Sequence, residues 1–373
     1  MSSHKLFQPA RIGDIDVAHR VVFAPATRFR ADANHAPQPH VAEYYSQRAS
    51  TPGSLLITEA TLIAARAGGY NYIPGIWSSD QIAAWKKVTD AVHAKGSYIY
   101  IQLWALGRTA EAPILAAEGL PFVSASDVPV AGTTDIPRPL TIEEIKEYAQ
   151  LWATAASNAV HKAGFDGVEV HGANGYLLDQ FLHDRSNIRT DAYGGSVENR
   201  ARFPLEVVEA VVNAVGETKT GFRISPWGTY NDMRFDHPKP TYTHLVTELR
   251  DRYPHLAYLH VVEADVGDWD TVEAREGTSN DFIRDIWGDR RLISAGGYTR
   301  ETALATAQDK GDLIAFARGY IANPDLPYRL LHDIALTVGN RALYYAQGGV
   351  NPAGYTDYPF AVPATLEEGV AVI

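Results

Sequence analysis

The stretch from Gly167 to Tyr176, Gly-Val-Glu-Val-His-Gly-Ala-Asn-Gly-Tyr, places polar side chains where a short apolar run stops abruptly. His171 and Asn174 stand three apart, so a helical turn beginning there would put both on one face, where two N–H donors converge on a single oxyanion. Taken alone, the pair also fits a core histidine beside a helix cap.

What positions such a pair is a strand that ends where chemistry can begin, and the chain repeats that grammar. Apolar runs suited to buried strands lie at Val21 to Ala24, Leu55 to Thr58, Tyr98 to Leu103, Gly167 to Val170, Gly221 to Ile224, Tyr258 to Val262, Leu292 to Ala295 and Leu313 to Ala317. Helical patterns or long insertions separate them. Ser78 with Gln81 and Thr141 with Glu144 form capping boxes, the second flanked by Leu140 and Ile145 at the spacing of a hydrophobic staple. Further helical stretches run through Glu43 to Arg48, Glu198 to Val215 and His244 to Arg252, and Arg11 to Val17 reads as a small hairpin. Alternation of this kind predicts an α/β chain folded as a (β/α)₈ TIM barrel with an N-terminal hairpin and long strand-end loops. One domain spans residues 1–373, with a core from about 5 to 340 and an extension from 341 to 373. A doubly wound sheet is the alternative, weakened by the absence of any Gly-x-Gly-x-x-Gly.

Composition narrows the classes further. The net charge of -11 is not gathered into a run, and no Lys/Arg cluster with interleaved aromatics offers a nucleic-acid surface. No cysteine occurs, which excludes disulfides, thiolate zinc, iron-sulfur clusters and cysteine nucleophiles. Neither a secretory signal nor a membrane-length apolar run is found, so a cytoplasmic protein is expected.

In such a barrel the strand ends share one mouth. They bring together Pro25, Ala26 and Thr27; Ala60; Gln102 and Trp104; His171, Asn174 and Tyr176; Arg223; Gly296 and Gly297; and Arg318 with Gly319. The glycines after strand seven and Arg318 after strand eight supply close backbone approach and a forked positive charge, as a phosphate requires. They also fit a tight turn and a surface charge. Arg223, costly to bury unpaired, calls for an anionic or electron-rich neighbour. Gln102 and Thr27 could bond the edge of a polar heterocycle. A ligand with phosphate at one side and a polar ring in the middle has the outline of flavin mononucleotide.

Along nearly its whole length, from Leu6-Phe7-Gln8-Pro9 to Gly354-Tyr355-Thr356-Asp357-Tyr358-Pro359, the chain resembles the Old Yellow Enzyme family of FMN-dependent, NAD(P)H-oxidising ene reductases, of fungal type. The markers are Ala24-Pro25-Ala26-Thr27-Arg28, Gln102-Leu103-Trp104, His171-Gly172-Ala173-Asn174-Gly175-Tyr176, Tyr193-Gly194-Gly195-Ser196 with Glu198-Asn199-Arg200, and Ile321-Ala322-Asn323-Pro324-Asp325-Leu326. The resemblance implies tightly held FMN, with NADPH or NADH as hydride donor. It assigns Pro25, Thr27, Ala60, Gln102 and Arg223 to the isoalloxazine, and Gly297, Arg318 and Gly319 to the phosphate. It assigns His171 and Asn174 to the oxygen of a conjugated carbonyl or nitro substrate, and Tyr176 to the proton given to the α-carbon. Tyr70, Trp104, Tyr230 and Tyr345 would line the substrate mouth. In one departure the chain reads Phe316-Ala317-Arg318 where relatives usually read Phe-Gly-Arg, which would add a methyl near the phosphate.

The implied reaction is ping-pong reduction of a C=C bond in a small α,β-unsaturated molecule, by a monomer or homodimer that binds neither nucleic acid nor membrane. A strict helix would turn Tyr176 roughly 140° away from His171, at about 100° per residue. A dedicated biosynthetic reductase or isomerase of the same family stands as an alternative, as does a barrel that binds flavin or a lipophilic ligand without turnover. A glycosidase barrel would need two flanking carboxylates, and Glu169 has no evident partner at strand seven.

Overall fold

The computed structural model describes residues 4–233, 235–264 and 277–361; the last part of the expected extension, 362–373, lies outside them. Eight parallel strands form: β1 Val21–Phe23, β2 Leu55–Leu62, β3 Tyr98–Trp104, β4 Gly167–Gly172, β5 Thr220–Ile224, β6 Tyr258–Val262, β7 Leu292–Ala295 and β8 Leu313–Phe316. They close into a barrel in that order, β8 pairing back onto β1. Each connection carries a helix: α1 His40–Arg48, α2 Ser79–His93, α3 Ile142–His161, α4 Val197–Val215, α5 Pro238–Arg252, α6 Asp281–Trp287 and α7 Arg300–Lys310. No described helix is long and apolar enough to cross a membrane.

The local signals explain these elements. Ser78 and Thr141 accept the N3 amides of α2 and α3, while Gln81 and Glu144 return the bond to the cap residues, satisfying amides that a helix start leaves without partners. Leu140 and Ile145, both buried, close the staple. The hairpin of Ala10–Ile12 and Ile15–Val17 plugs the barrel floor, packing Ala10, Ile12, Ile15 and Val17 against Leu55, Tyr100, Tyr258 and Leu313. Its tip requires Gly13: φ is +49°, and a Cβ there would stand 1.8 Å from the carbonyl oxygen of Thr218.

Strand β2 runs four residues beyond its expected end at Thr58, across a break in its pairing with β3 between Ile57 and Ala60. The Thr58 hydroxyl accepts the Gln102 amide at 3.1 Å, so a side chain replaces the missing rung. The irregularity is a bulge, and it places Glu59 among arginines. Oε2 of Glu59 accepts the Arg28 amide at 3.2 Å, and the Glu59 amide donates to the Tyr45 hydroxyl at 2.8 Å.

Arg28, Arg30 and Arg48, all buried, tie the terminal segment 341–361 down. Arg28 donates to the carbonyls of Tyr344 at 3.0 Å and Gly354 at 2.6 Å, Arg30 to that of Gly349 at 3.0 Å, and Arg48 to that of Tyr355 at 3.1 Å. Tyr355 stacks on Tyr44 with centroids 4.0 Å apart, and Arg48 sits 3.6 Å over the Tyr44 ring.

Burial pushes the Glu59 carboxyl up to about 7, against the pull of the Arg28 amide and the Arg28 and Arg30 charges. The folded protein therefore binds this proton more tightly than the unfolded chain. The stabilisation is complete below the unfolded value and is lost as pH rises through about 7. Glu59→Gln is neutral at every pH. Its melting temperature is expected to match the parent's near pH 5 and to exceed it by roughly a few degrees near pH 8.5. Parallel curves for the two proteins would show that Glu59 is already ionised throughout.

Candidate active site

The β4 backbone carries His171 and Gly172 as strand, and the chain then turns sharply: Asn174 (φ 58°) and Gly175 (φ 76°) are both left-handed. The helical turn expected from His171 does not form. Two side chains capture the amides that a helix would have used: Asn174 N donates to Ser225 Oγ at 2.7 Å, and Gly175 N donates to Asp179 Oδ2 at 2.8 Å. Tyr176 is consequently not rotated away. It caps the short helix Leu177–Leu182, with its ring 5.1 Å from His171 and 4.6 Å from Trp104, edge-on to both.

A cavity of about 660 Å³ opens at this end of the barrel, within the range of small-molecule sites. Pro25, Ala26, Thr27, Tyr70, Trp104, Asn174, Tyr176, Tyr230, Arg318 and Tyr345, all expected at the mouth, line it. His171 sits immediately behind, stacked on Trp104 with centroids 6.4 Å apart. Ala60 packs with Trp104 and Leu106. Gly319 follows Arg318 at the end of β8. Gly296 (φ 145°) and Gly297 (φ 63°) turn the chain after β7 and are not part of the cavity wall.

Neighbouring strands set a polar layer by their register. Gln102 lies opposite Glu169, His171 opposite Arg223, and Arg223 opposite His260. Glu169 accepts from Gln102 Nε2 at 2.7 Å and pairs with His260 Nδ1 at 2.8 Å. Burial would push the Glu169 carboxyl up, but His260, Arg223 and Gln102 together hold it below its usual range. It stays ionised. Burial, aided by Arg223 and His260, drives His171 well below 6.5. The ring is neutral, and because Nδ1 accepts the Ala173 amide at 3.3 Å its proton sits on Nε2 as a donor. Burial, with Tyr230 and Tyr70 nearby, holds the Tyr176 phenol well above 10. His260 and the Glu169 network escaped the sequence reading. Their signal was the two-residue alternation that puts Glu169 and His171 on one face of β4.

Nε of Arg223 and the indole N–H of Trp104 are buried without a partner among the described residues, which is costly unless a ligand supplies acceptors. Gln102 and Thr27 offer both donor and acceptor chemistry. Ala317 lines the cavity at φ -96°, a backbone that any residue adopts, so its methyl strains nothing there. The residues fit an isoalloxazine ring with a phosphate toward Arg318.

Residues 5–337 match the profile of the NADH:flavin oxidoreductase / NADH oxidase family. The chain belongs to the Old Yellow Enzyme family. It is 49% identical over 363 residues to the chanoclavine-I aldehyde reductase fgaOx3 of Penicillium roqueforti, covering 96% of each chain. It is 45% identical over 371 residues to a probable inactive reductase, easA, of Epichloe festucae var. lolii, covering 97% of this chain and 96% of that one. Among solved structures, the Old Yellow Enzyme from Pichia sp. AKU4542 superposes with a TM-score of 0.89 at 37% identity, covering 96% of this chain and 94% of that one. Morphinone reductase in complex with tetrahydroNAD superposes with a TM-score of 0.87 at 39% identity, covering 96% and 98%. This Old Yellow Enzyme family member is thus a TIM-barrel protein of the FMN-type NADH:flavin oxidoreductase family.

Proposed function

We propose that this protein reduces the C=C bond of small α,β-unsaturated carbonyl or nitro compounds with NADPH or NADH, by a ping-pong route. FMN, when bound, would supply the hydride chemistry that links the nicotinamide to the alkene β-carbon. His171 Nε2–H and the Asn174 amide hold the substrate oxygen as negative charge gathers on it. Tyr176 gives its proton to the α-carbon. Thr27, Gln102 and Arg223 hold the ring edge, and Arg318 with the Gly319 backbone holds the phosphate. The observation that carries the reading is that Asn174 and an un-ionised Tyr176 line one cavity, with a neutral His171 ring 5.1 Å from that of Tyr176.

Relatives described as aldehyde reductases put conjugated aldehydes first among substrates, and a dedicated biosynthetic step is consistent with them. Binding without turnover is the second reading, favoured by the relatives described as probably inactive. The purified protein is expected to be yellow, and its released cofactor to co-migrate with FMN. Colourless protein that takes up no FMN would overturn the assignment. An anaerobic panel of enals, enones and nitroalkenes with each nicotinamide then separates reductase from binder. Flavin that a nicotinamide reduces but no alkene reoxidises would favour the second reading.

A further inference from the structure

The polar layer beneath the cavity holds a carboxylate to which the reaction assigns no role. Glu169 is fully buried inside the barrel, and each of its oxygens receives a donor: Gln102 Nε2 reaches Oε1 at 2.7 Å, and His260 Nδ1 reaches Oε2 at 2.8 Å. Gln102 comes from β3, the strand beside it, whereas His260 comes from β6, across β5. Strand β5 leaves that crossing open, because the residue opposite Glu169 is Gly221; a Cβ there would lie 2.4 Å from the ring of Tyr258.

A carboxylate with a donor on each oxygen accepts and does not donate, so the Gln102 amide has to turn its NH₂ toward it. Reversed, the amide would set its own carbonyl oxygen against Glu169 Oε1, a repulsion that a low-dielectric interior makes large. Gln102 Oε1 therefore faces away from Glu169, and among the described residues no donor bonds it. Gln102 and Glu169 precede Trp104 and His171 by two residues on their strands, so the pair faces the same way one step deeper in the barrel. What Gln102 can offer to a ring edge is thus an acceptor. The polar edge of an isoalloxazine carries an N–H between two carbonyl oxygens, and an acceptor selects that N–H.

We propose that Glu169 is a positioning residue for the cofactor: by holding the Gln102 NH₂, with His260 bracing its other oxygen, it makes Gln102 an acceptor for the ring N–H of the flavin. The proposal rests on the reading of the cavity as an FMN site with Gln102 at the ring edge.

The test compares FMN with N3-methyl-FMN, in which a methyl replaces that hydrogen, each titrated into flavin-free protein and followed by flavin fluorescence. The parent is expected to bind FMN more tightly by roughly 10- to 100-fold, the scale of a buried hydrogen bond lost with its acceptor left unpaired. Glu169→Gln keeps the size of the side chain, but its amide can donate as well as accept, so Gln102 is free to present its NH₂ to the ring. FMN should then bind more weakly while N3-methyl-FMN changes little, shrinking the ratio by roughly fivefold or more. Glu169→Leu, which gives Gln102 nothing to donate to, should shrink it likewise. General damage to the fold would weaken both flavins alike and leave the ratio where it was. In a Gln102→Ala background Glu169→Gln should not change the ratio, because Glu169 acts through that amide. An unchanged ratio in both Glu169 variants, or a shrinkage that persists in the Gln102→Ala background, would overturn the proposal. Equal binding of the two flavins by the parent would also overturn it while leaving the FMN site intact. Flavin-free parent that takes up neither would overturn the FMN reading itself, and the role of Glu169 with it.

Discussion

Tyr176→Phe is expected to slow reoxidation of the reduced protein by cyclohexenone by on the order of 10² to 10⁴, while flavin reduction by NADPH stays near the parent rate. The contrast follows from what each half-reaction needs. Hydride arrival requires no phenol proton; saturation of an enone requires one at the α-carbon. Burial holds the Tyr176 phenol far above the assay range, so it remains protonated and should contribute no titration to the rate between pH 6 and 9. Phenylalanine preserves the edge-on contacts with Trp104 and His171, which removes packing as the cause of any loss. Nitroalkene reduction should be nearly unchanged, since a nitronate can collect its proton from water. If cyclohexenone reoxidises the variant as fast as the parent, Tyr176 is a packing residue, and the acid lies elsewhere at the mouth.

His171→Ala and Asn174→Ala should each lower alkene reduction by roughly 10² to 10³, the scale for losing one preorganised donor to a developing oxyanion. Here enones and nitroalkenes should suffer alike, because both gather charge on oxygen, and that distinguishes these variants from Tyr176→Phe. A phenol ligand that binds as its phenolate should weaken in parallel. The His171 ring is held neutral by burial, Arg223 and His260, so the parent rate should show no step from this residue between pH 5 and 8. Unchanged phenolate binding in both variants would remove the pair from the site.

The eight barrel strands, the hairpin and both capping boxes were legible because each rests on local chemistry: apolar runs, turn residues and caps. The site was legible as a set of strand ends, since a closed parallel barrel brings them to one mouth whatever the loops do. What local chemistry does not carry is capture from a distance. The expected turn at His171 assumed that its amides would bond within the helix, whereas Ser225 and Asp179 take them. The same captures keep Tyr176 beside His171, where helical periodicity would have sent it away. The second strand was expected to end at Thr58, although a hydroxyl there supports the bulge that carries it on and aims Glu59 at Arg28. Tyr344 and Gln347 line the cavity only because arginines near the chain start hold their segment in place.

That last arrangement has a bearing on biogenesis. Arg28 reaches Gly354 across a separation of 326 residues, and Arg48 reaches Tyr355 across 307. A ribosome emits the arginines some 300 residues before their carbonyl partners, so the barrel strands are all made before that wall of the mouth. In that interval the opening lacks the side chains of Tyr344, Tyr345 and Gln347. Once residues 341–361 dock, Tyr344, Tyr345 and Gln347 complete the wall of the cavity. Removal of the segment from residue 341 onward should therefore alter cofactor retention and substrate size limits more than it alters the melting of the barrel.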